Sequence, residues 1–176
     1  MAKRLTAAAV AATLGFFALG ATPQPAQASD PYWQCVTFAR MFSGIQIFGD
    51  AWTWWRQAVN NFRTGSAPET GSVLVFRPEG RMNRGHVAVV SDVVTDRVIR
   101  VTHANWGGSR GKVEENVTVV DVSSSNDWSQ VKVWYNPING LGTTAYPTYG
   151  FIYKGARDAF QGGREMAASA AAAAAQ

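Results

Sequence analysis

The chain has 176 residues, with 16 Lys and Arg against 12 Asp and Glu and a formal net charge of +4. This length suits one domain with an ordinary hydrophobic core. The basic residues are scattered, and without Lys3 and Arg4 the remaining 14 basic side chains nearly balance the 12 acidic ones. The charge pattern therefore gives no electrostatic footprint for nucleic acid, and we expect no nucleic-acid partner.

The first 28 residues have the pattern of a cleavable signal peptide. Lys3 and Arg4 supply the positive start, residues 5–20 are mainly apolar, and residues 26–28 (AQA) form an A-x-A cleavage site. The alternative is a retained N-terminal anchor, but frequent Ala, Thr and Gly residues weaken this segment as a stable span. We expect an exported, periplasmic or extracellular protein with no stable membrane span after cleavage.

A first helix is predicted directly after this segment. Asp30 can cap its N-terminus, and Pro31 suits the first helical position. The helical pattern then continues to residue 43, with Cys35 on the apolar face, and Gly44 ends it. This helix carries the only cysteine of the chain.

A second helix is predicted over residues 51–61. Asp50 can cap it, and Trp52, Trp55 and Val59 form an apolar stripe at helical spacing. Both predicted helices precede every predicted strand.

After a Gly-, Ser- and Pro-rich loop at residues 64–71, the pattern changes to short apolar or alternating runs that indicate strands. Six strands are predicted, at residues 72–77, 86–94, 97–105, 113–122, 131–135 and 150–153. Helices followed by antiparallel strands define an α+β domain, in which the N-terminal helices pack on a roughly six-stranded antiparallel sheet.

The chain is thus predicted to have three parts. Residues 1–28 form the signal peptide, and residues 29–155 form the folded domain. Residues 156–176 are Ala-rich and lack an apolar stripe, so we expect a flexible C-terminal tail.

Cys35 has no partner for a disulfide bond. Structural cysteines in exported proteins normally occur in pairs. A single cysteine is therefore either a small buried apolar residue or a reactive thiol.

The hairpin at residues 86–105 relates the two histidines of the chain. If Val94 pairs with Arg97 across the turn, His86 lies opposite Asn105, and His103 lies on the same face of the sheet. Opposed Cβ atoms are about 5 Å apart, and diagonal ones are about 7 to 8 Å apart. The register therefore predicts one polar cluster of two imidazoles and an amide.

These residue types are those of a cysteine nucleophile with a histidine base and a third, orienting group. Near a helix start and beside an imidazolium, we expect the pKa of the Cys35 thiol to fall. His86 would take the thiol proton, and backbone N–H groups at the helix start would hold the oxyanion. One cysteine and two histidines are too few for a usual zinc site, so neither a metal nor another cofactor is expected.

Three segments together resemble the CHAP family, the cysteine, histidine-dependent amidohydrolases/peptidases that are related to NlpC/P60 and papain-like proteins. The segments are Gln34-Cys35 at a helix start, residues 85–90 (GHVAVV) and residues 102–106 (THANW). The resemblance covers residues 32–153. It implies that residues 29–155 are a CHAP-like catalytic domain with a papain-like fold.

The resemblance also implies a function: a cysteine peptidase or amidase that hydrolyses an amide bond in peptidoglycan without a metal. Cys35 matches the nucleophile of the family and His86 its base. Many members carry Glu where this chain has His103, so His103 and Asn105 both remain candidates for the third position.

Two alternatives stay open at this point. In the first alternative, the domain is a catalytically silent peptidoglycan-binding or scaffolding protein. In the second, it is an acyltransferase that uses the same thioester. A domain of this size has no separate wall-targeting module, so a protein partner for localisation is also expected.

Overall fold

The structure is a computed structural model that describes residues 31–108 and 110–156. The predicted signal peptide at residues 1–28 lies outside the described residues, as does the predicted tail beyond Ala156. The described elements, in chain order, are α1 (Cys35–Ser43), α2 (Ala51–Asn61), β1 (Phe62–Gly65), β2 (Val73–Phe76), β3 (His86–Val93), β4 (Val98–Ala104), β5 (Val113–Asp121), β6 (Gln130–Tyr135), a 3₁₀ turn (Asn136–Ile138), β7 (Gly140–Leu141) and β8 (Tyr146–Ala156).

The strands form an antiparallel sheet in the order β1-β8-β2-β3-β4-β5-β6-β7, and an additional pairing joins β6 to β8. The α+β class is confirmed, and the antiparallel sheet has a closed form that we did not predict. Strands β2, β3, β4, β5, β6 and β8 close into a six-stranded barrel. Closure is possible because the long strand β8 pairs with β6 at its start, with β2 in its middle and with β1 near its end. The closed barrel leaves fewer unpaired strand edges.

Two of the strands were not predicted. Strand β1 (Phe62–Gly65) overlaps the segment that we expected to be a loop, and β7 is only two residues long. Both are attached at the ends of the sheet order, outside the closed barrel. Their sequences are too short and too rich in Gly or polar residues to show a clear alternation.

The alternation of side chains along β2 gives the fold two hydrophobic cores. Leu74 and Phe76 belong to the cluster that fills the barrel, whereas Val73 and Val75 belong to the cluster shared with the helices. All four side chains are completely buried. Successive side chains of a strand point to opposite faces, so a strand that is covered on both sides is apolar throughout.

Helix α1 begins four residues later than we predicted. Its N-cap is Gln34 and its first residue is Cys35, while Gly44 ends it in the left-handed conformation as expected, with φ 78°. The backbone N–H of Trp33 donates to the carbonyl of Gly111 at 3.0 Å. This hydrogen bond ties the preceding segment to the β4–β5 loop, so the segment does not continue the helix.

Helix α2 has the predicted bounds and the predicted N-cap, Asp50. The predicted apolar stripe is wrong, because Trp52 and Val59 are 43% and 38% exposed. The residues that face the sheet are Ala51, Trp54 and Ala58. The two alanines let the helix approach closely, and Trp54 fills the remaining space. In the described part of the chain, neither helix has the length and apolar character needed to cross a membrane.

Candidate active site

The register of β3 and β4 near the histidines is the predicted one. Val89 pairs with Thr102 and Val90 with Val101. A bulge after Val90 then shifts the outer pairs by one residue, so the pairing that we predicted at the turn is wrong. The bulge lies between the histidines and the turn, so the strand pairing near the histidines keeps the predicted register.

This register brings the two imidazoles into contact. Nε2 of His86 lies 3.1 Å from Nδ1 of His103, which is hydrogen-bond distance. His86 is 3% exposed and His103 is completely buried. Two neutral imidazoles at this distance share one proton between these nitrogens, with one ring as donor and the other as acceptor.

Gly85 determines how the chain enters β3 just before His86. Its φ is +67°, and a Cβ atom there would lie 2.8 Å from the carbonyl oxygen of Phe76. The carbonyl of the preceding residue, Arg84, accepts a hydrogen bond from the N–H of Trp52 at the start of α2. Only glycine fits this tight passage between strand and helix without strain. The glycine of the Gly-His pair thus fixes the position of the histidine backbone.

Cys35 lies beside the start of β3. Helix α1 packs against β3 and β4, and Cys35 is its first residue. Backbone N–H groups of Val87, Val36 and Cys35 itself lie against the sulfur. The thiol is therefore next to the residue that follows His86, and two N–H groups of the first helical turn lie against it.

Burial is the dominant influence on this thiol. It raises the pKa of Cys35 above the ordinary value of 9.0, although the neighbouring backbone N–H groups act in the opposite direction. This differs from the lowered pKa that we expected from the helix start and an imidazolium. The reason is that burial disfavours the thiolate more strongly than the local dipoles favour it.

Burial also keeps both imidazoles neutral. It lowers the pKa of His86 well below 6.5, with a further contribution from His103, and it lowers the pKa of His103 to about 3. Trp106 contributes to this burial, because its ring centroid lies 4.9 Å from that of His86 and 5.4 Å from that of His103. Trp106 lies in residues 102–106, one of the three segments that resemble the CHAP family. Nothing in the sequence alone indicated that its side chain covers both imidazole rings.

Asn105 has other partners than those that the strand register predicted. It follows β4, and its backbone is in the left-handed conformation with φ 61°. Its Nδ2 donates to Oε1 of Gln34 at 3.3 Å, and its Oδ1 accepts from the N–H of Gly111 at 3.0 Å. The amide therefore joins the residue before Cys35 to the β4–β5 loop.

An acidic residue that we did not predict faces His103. Glu114 on β5 is the direct cross-strand partner of His103, and its Oε2 lies 3.7 Å from Nε2 of His103. Its other oxygen accepts a hydrogen bond from Nδ2 of Asn136 at 3.0 Å. Burial raises the pKa of Glu114, and the hydrogen bond from Asn136 partly opposes this effect.

The described residues contain no group of three or more His, Cys, Asp or Glu side chains arranged to hold a metal ion. The site consists instead of a half-buried thiol, two imidazoles in contact and backbone N–H groups. This set of groups is suited to acid–base and nucleophilic chemistry on an acyl carbon.

Comparison with known families agrees with this chemistry. Residues 26–105 match the CHAP domain, which confirms the family resemblance predicted from the sequence. The match includes Cys35, His86 and His103. No curated protein matched the chain. The family indicates, in general terms, an amidase or peptidase activity related to peptidoglycan.

Proposed function

We propose that the protein is an exported cysteine peptidase or amidase that hydrolyses an amide bond in peptidoglycan. The observation that carries this proposal is the hydrogen-bonded pair of His86 and His103, together with a single thiol that lies against the backbone N–H of Val87, the residue after His86. The CHAP match supplies the substrate class. The N-terminal pattern of residues 1–28 supports export, since peptidoglycan lies outside the cytoplasmic membrane.

In the first step, Cys35 attacks the carbonyl carbon of the scissile amide. The S–H proton moves to Nδ1 of His86, the S–C bond forms, and the carbonyl oxygen becomes an oxyanion. Because the thiol and the imidazole both start neutral, the proton leaves as the sulfur attacks, and His86 acts as a general base. Backbone N–H groups at the start of α1 stabilise the oxyanion.

In the second step, the tetrahedral intermediate collapses. The C–N bond breaks, and His86 returns its proton to the leaving amine. A thioester on Cys35 remains. Water then attacks this thioester with His86 again as base, so that the carboxylic acid leaves and the thiol is restored.

The test uses peptidoglycan sacculi and purified protein. Wild-type protein is expected to release soluble fragments with new amino groups, and their masses identify the bond. Cys35→Ala is expected to release none, and His86→Ala is expected to lose about 10²- to 10⁴-fold in rate. Arg100→Ala, which replaces an exposed side chain on β4, is the control for activity lost through misfolding or purification. Equal release by wild type and Cys35→Ala would rule out the cysteine mechanism.

A silent peptidoglycan-binding or scaffolding role is the second candidate. It is favoured by the burial that raises the pKa of Cys35 and lowers the pKa values of both imidazoles, because a thiol at rest in this environment is protonated. Retention of the protein on sacculi without any released fragment would support this role. A protein partner that brings the domain to its place in the wall remains part of either proposal.

Acyl transfer uses the same thioester with an amine in place of water. Product masses distinguish the two outcomes, because transfer adds the acceptor to the acyl fragment and hydrolysis adds water.

A further inference from the structure

Two buried polar atoms at the site face each other without a full hydrogen bond. Nε2 of His103 and Oε2 of Glu114 are 3.7 Å apart. Among the residues that the structure describes, neither atom has a hydrogen-bond partner. Their remaining polar atoms are occupied, since Nδ1 of His103 contacts His86 and Oε1 of Glu114 accepts from Asn136. A small shift that brings a buried donor and a buried acceptor to hydrogen-bond distance removes the free-energy cost of leaving both unsatisfied.

The tautomer of His103 decides which nitrogen of His86 is basic. If His103 carries its proton on Nε2, its Nδ1 accepts from Nε2–H of His86, and Nδ1 of His86 keeps a free lone pair. If His103 carries its proton on Nδ1, it donates to Nε2 of His86. His86 then holds its own proton on Nδ1 and has no lone pair there for the thiol.

We propose that Glu114 is a positioning residue that holds His103, and through it His86, in the tautomer that leaves Nδ1 of His86 free to accept a proton. A carboxylate only accepts hydrogen bonds, so it selects the tautomer with a proton on Nε2 of His103. The catalytic consequence of this inference rests on the proposed function.

Glu114 also supplies the negative charge that His103 lacks. When His86 takes a proton, it becomes an imidazolium whose Nε2–H points at the neutral ring of His103. The carboxylate on the far side of that ring stabilises the positive charge through the chain of hydrogen bonds. The acid that many family members carry at the position of His103 is thus replaced by an acid on the neighbouring strand.

A bulge between β4 and β5 selects Glu114 over the adjacent Glu115. Val101 pairs with Val117, but His103 pairs with Glu114, so β5 contains one extra residue between these pairs. Asn116, within this bulge, has a left-handed backbone with φ 53°. Glu115 is exposed and provides a matched control on the same strand.

The first test reads the tautomers directly and does not depend on activity. The chain has only two histidines, so the four ring nitrogens can be assigned by ¹⁵N NMR. In wild type at neutral pH, both rings are expected to carry the proton on Nε2. In Glu114→Gln, whose amide both donates and accepts, His103 is expected to show a mixed or inverted tautomer, whereas Glu115→Gln is expected to keep the wild-type spectrum. A proton on Nδ1 of His103 in wild type would overturn the proposal.

The second test measures turnover of peptidoglycan by the same variants. Glu114→Gln is expected to lower kcat roughly 10- to 100-fold with little change in KM, the range usual for residues that orient a functional histidine. Glu114→Asp, which keeps the carboxylate, is expected to recover part of the loss, and Glu115→Gln to resemble wild type. Equal kcat values for Glu114→Gln and Glu115→Gln would contradict the positioning role. If wild type cuts no peptidoglycan, the proposed function fails, while the tautomer measurement still decides the role of Glu114.

Discussion

His86 and His103 form a buried imidazole pair, with Nε2 of the first ring 3.1 Å from Nδ1 of the second. Trp106 lies against both rings. The pair is therefore shielded from water and neutral near pH 7. A neutral imidazole has a free lone pair that can accept a proton, which is the state that the proposed reaction requires at its start.

The first prediction concerns the ionisation of Cys35. Because burial raises the pKa of this thiol above 9.0, alkylation by iodoacetamide is expected to be slow at pH 7 and to increase up to and beyond pH 9. The single cysteine makes the reaction specific to one site. The same protein in denaturant is the control, and its thiol is expected to titrate at a lower pH. Rapid alkylation at pH 6 that does not increase with pH would indicate a thiolate at rest instead.

The second prediction concerns acid stability. The pKa of His103 is about 3 in the folded protein against 6.5 ordinarily, so between these values the unfolded chain binds a proton that the folded chain does not. Stability is therefore complete above pH 6.5 and falls as the pH is lowered towards 3, by up to about 1.4 kcal/mol per pH unit for this ring. Urea unfolding between pH 7 and pH 4 measures the slope.

His103→Gln removes the titrating ring and keeps a polar side chain of similar length. Its stability is expected to be lower at pH 7 but to depend less on pH. Parallel curves of unfolding free energy against pH for wild type and variant would mean that His103 binds a proton equally well in the folded and the unfolded chain.

The third prediction concerns the passage into β3. Gly85→Ala places a Cβ atom 2.8 Å from the carbonyl of Phe76 and a non-glycine residue at φ +67°. We expect the free energy of unfolding to fall by roughly 1–3 kcal/mol from backbone strain, with a further loss from the clash. Gly80→Ala is the matched control, because its φ is +51° and nothing lies within 4 Å of the added Cβ. Equal losses in the two variants would show that the close contact is unimportant.

The fourth prediction separates the two candidates for the third position of the site. His103 contacts the ring of His86, whereas the amide of Asn105 contacts Gln34 and Gly111. His103→Ala is therefore expected to lower kcat by roughly 10-fold more than Asn105→Gly does. Glycine is the chosen replacement because it retains the left-handed φ of 61° while removing the amide. A larger loss of kcat in Asn105→Gly would favour Asn105 as the orienting residue.

The fifth prediction concerns processing at the N-terminus. The A-x-A pattern at residues 26–28 predicts cleavage after Ala28, so exported protein should begin at Ser29. Mass spectrometry of the secreted or periplasmic protein measures this directly. Ala28→Arg, which puts a large charged residue at a site that requires a small one, is expected to block cleavage. Exported wild-type protein that retains residues 1–28 would indicate the anchored alternative.

Local patterns in the sequence predicted much of this fold. The bounds of α2 followed from Asp50 and helical spacing, and the end of α1 followed from Gly44. All six predicted strands are present with shifted ends, and the register beside the histidines was correct. These features depend on nearest neighbours in the chain, such as caps, turn residues and alternation, which a sequence displays directly.

Features that depend on distant contacts were not predicted. Barrel closure requires β8 to pair with β6 as well as β2, and no local pattern encodes the choice of partner. The buried face of α2 was misassigned because Ala51 and Ala58 are weak hydrophobic signals, although their small size decides the packing against the sheet.

For the candidate site, the sequence by itself determined the residue types: one cysteine, two histidines in register and a glycine before the first of them. Tertiary structure decided their environment and their further partners. Burial sets the direction of every pKa shift at the thiol and the imidazoles, and burial exists only once strands and helices have packed. A single extra residue in β5 turns Glu114 rather than Glu115 towards His103, because a one-residue shift of register reverses which side chains share a face.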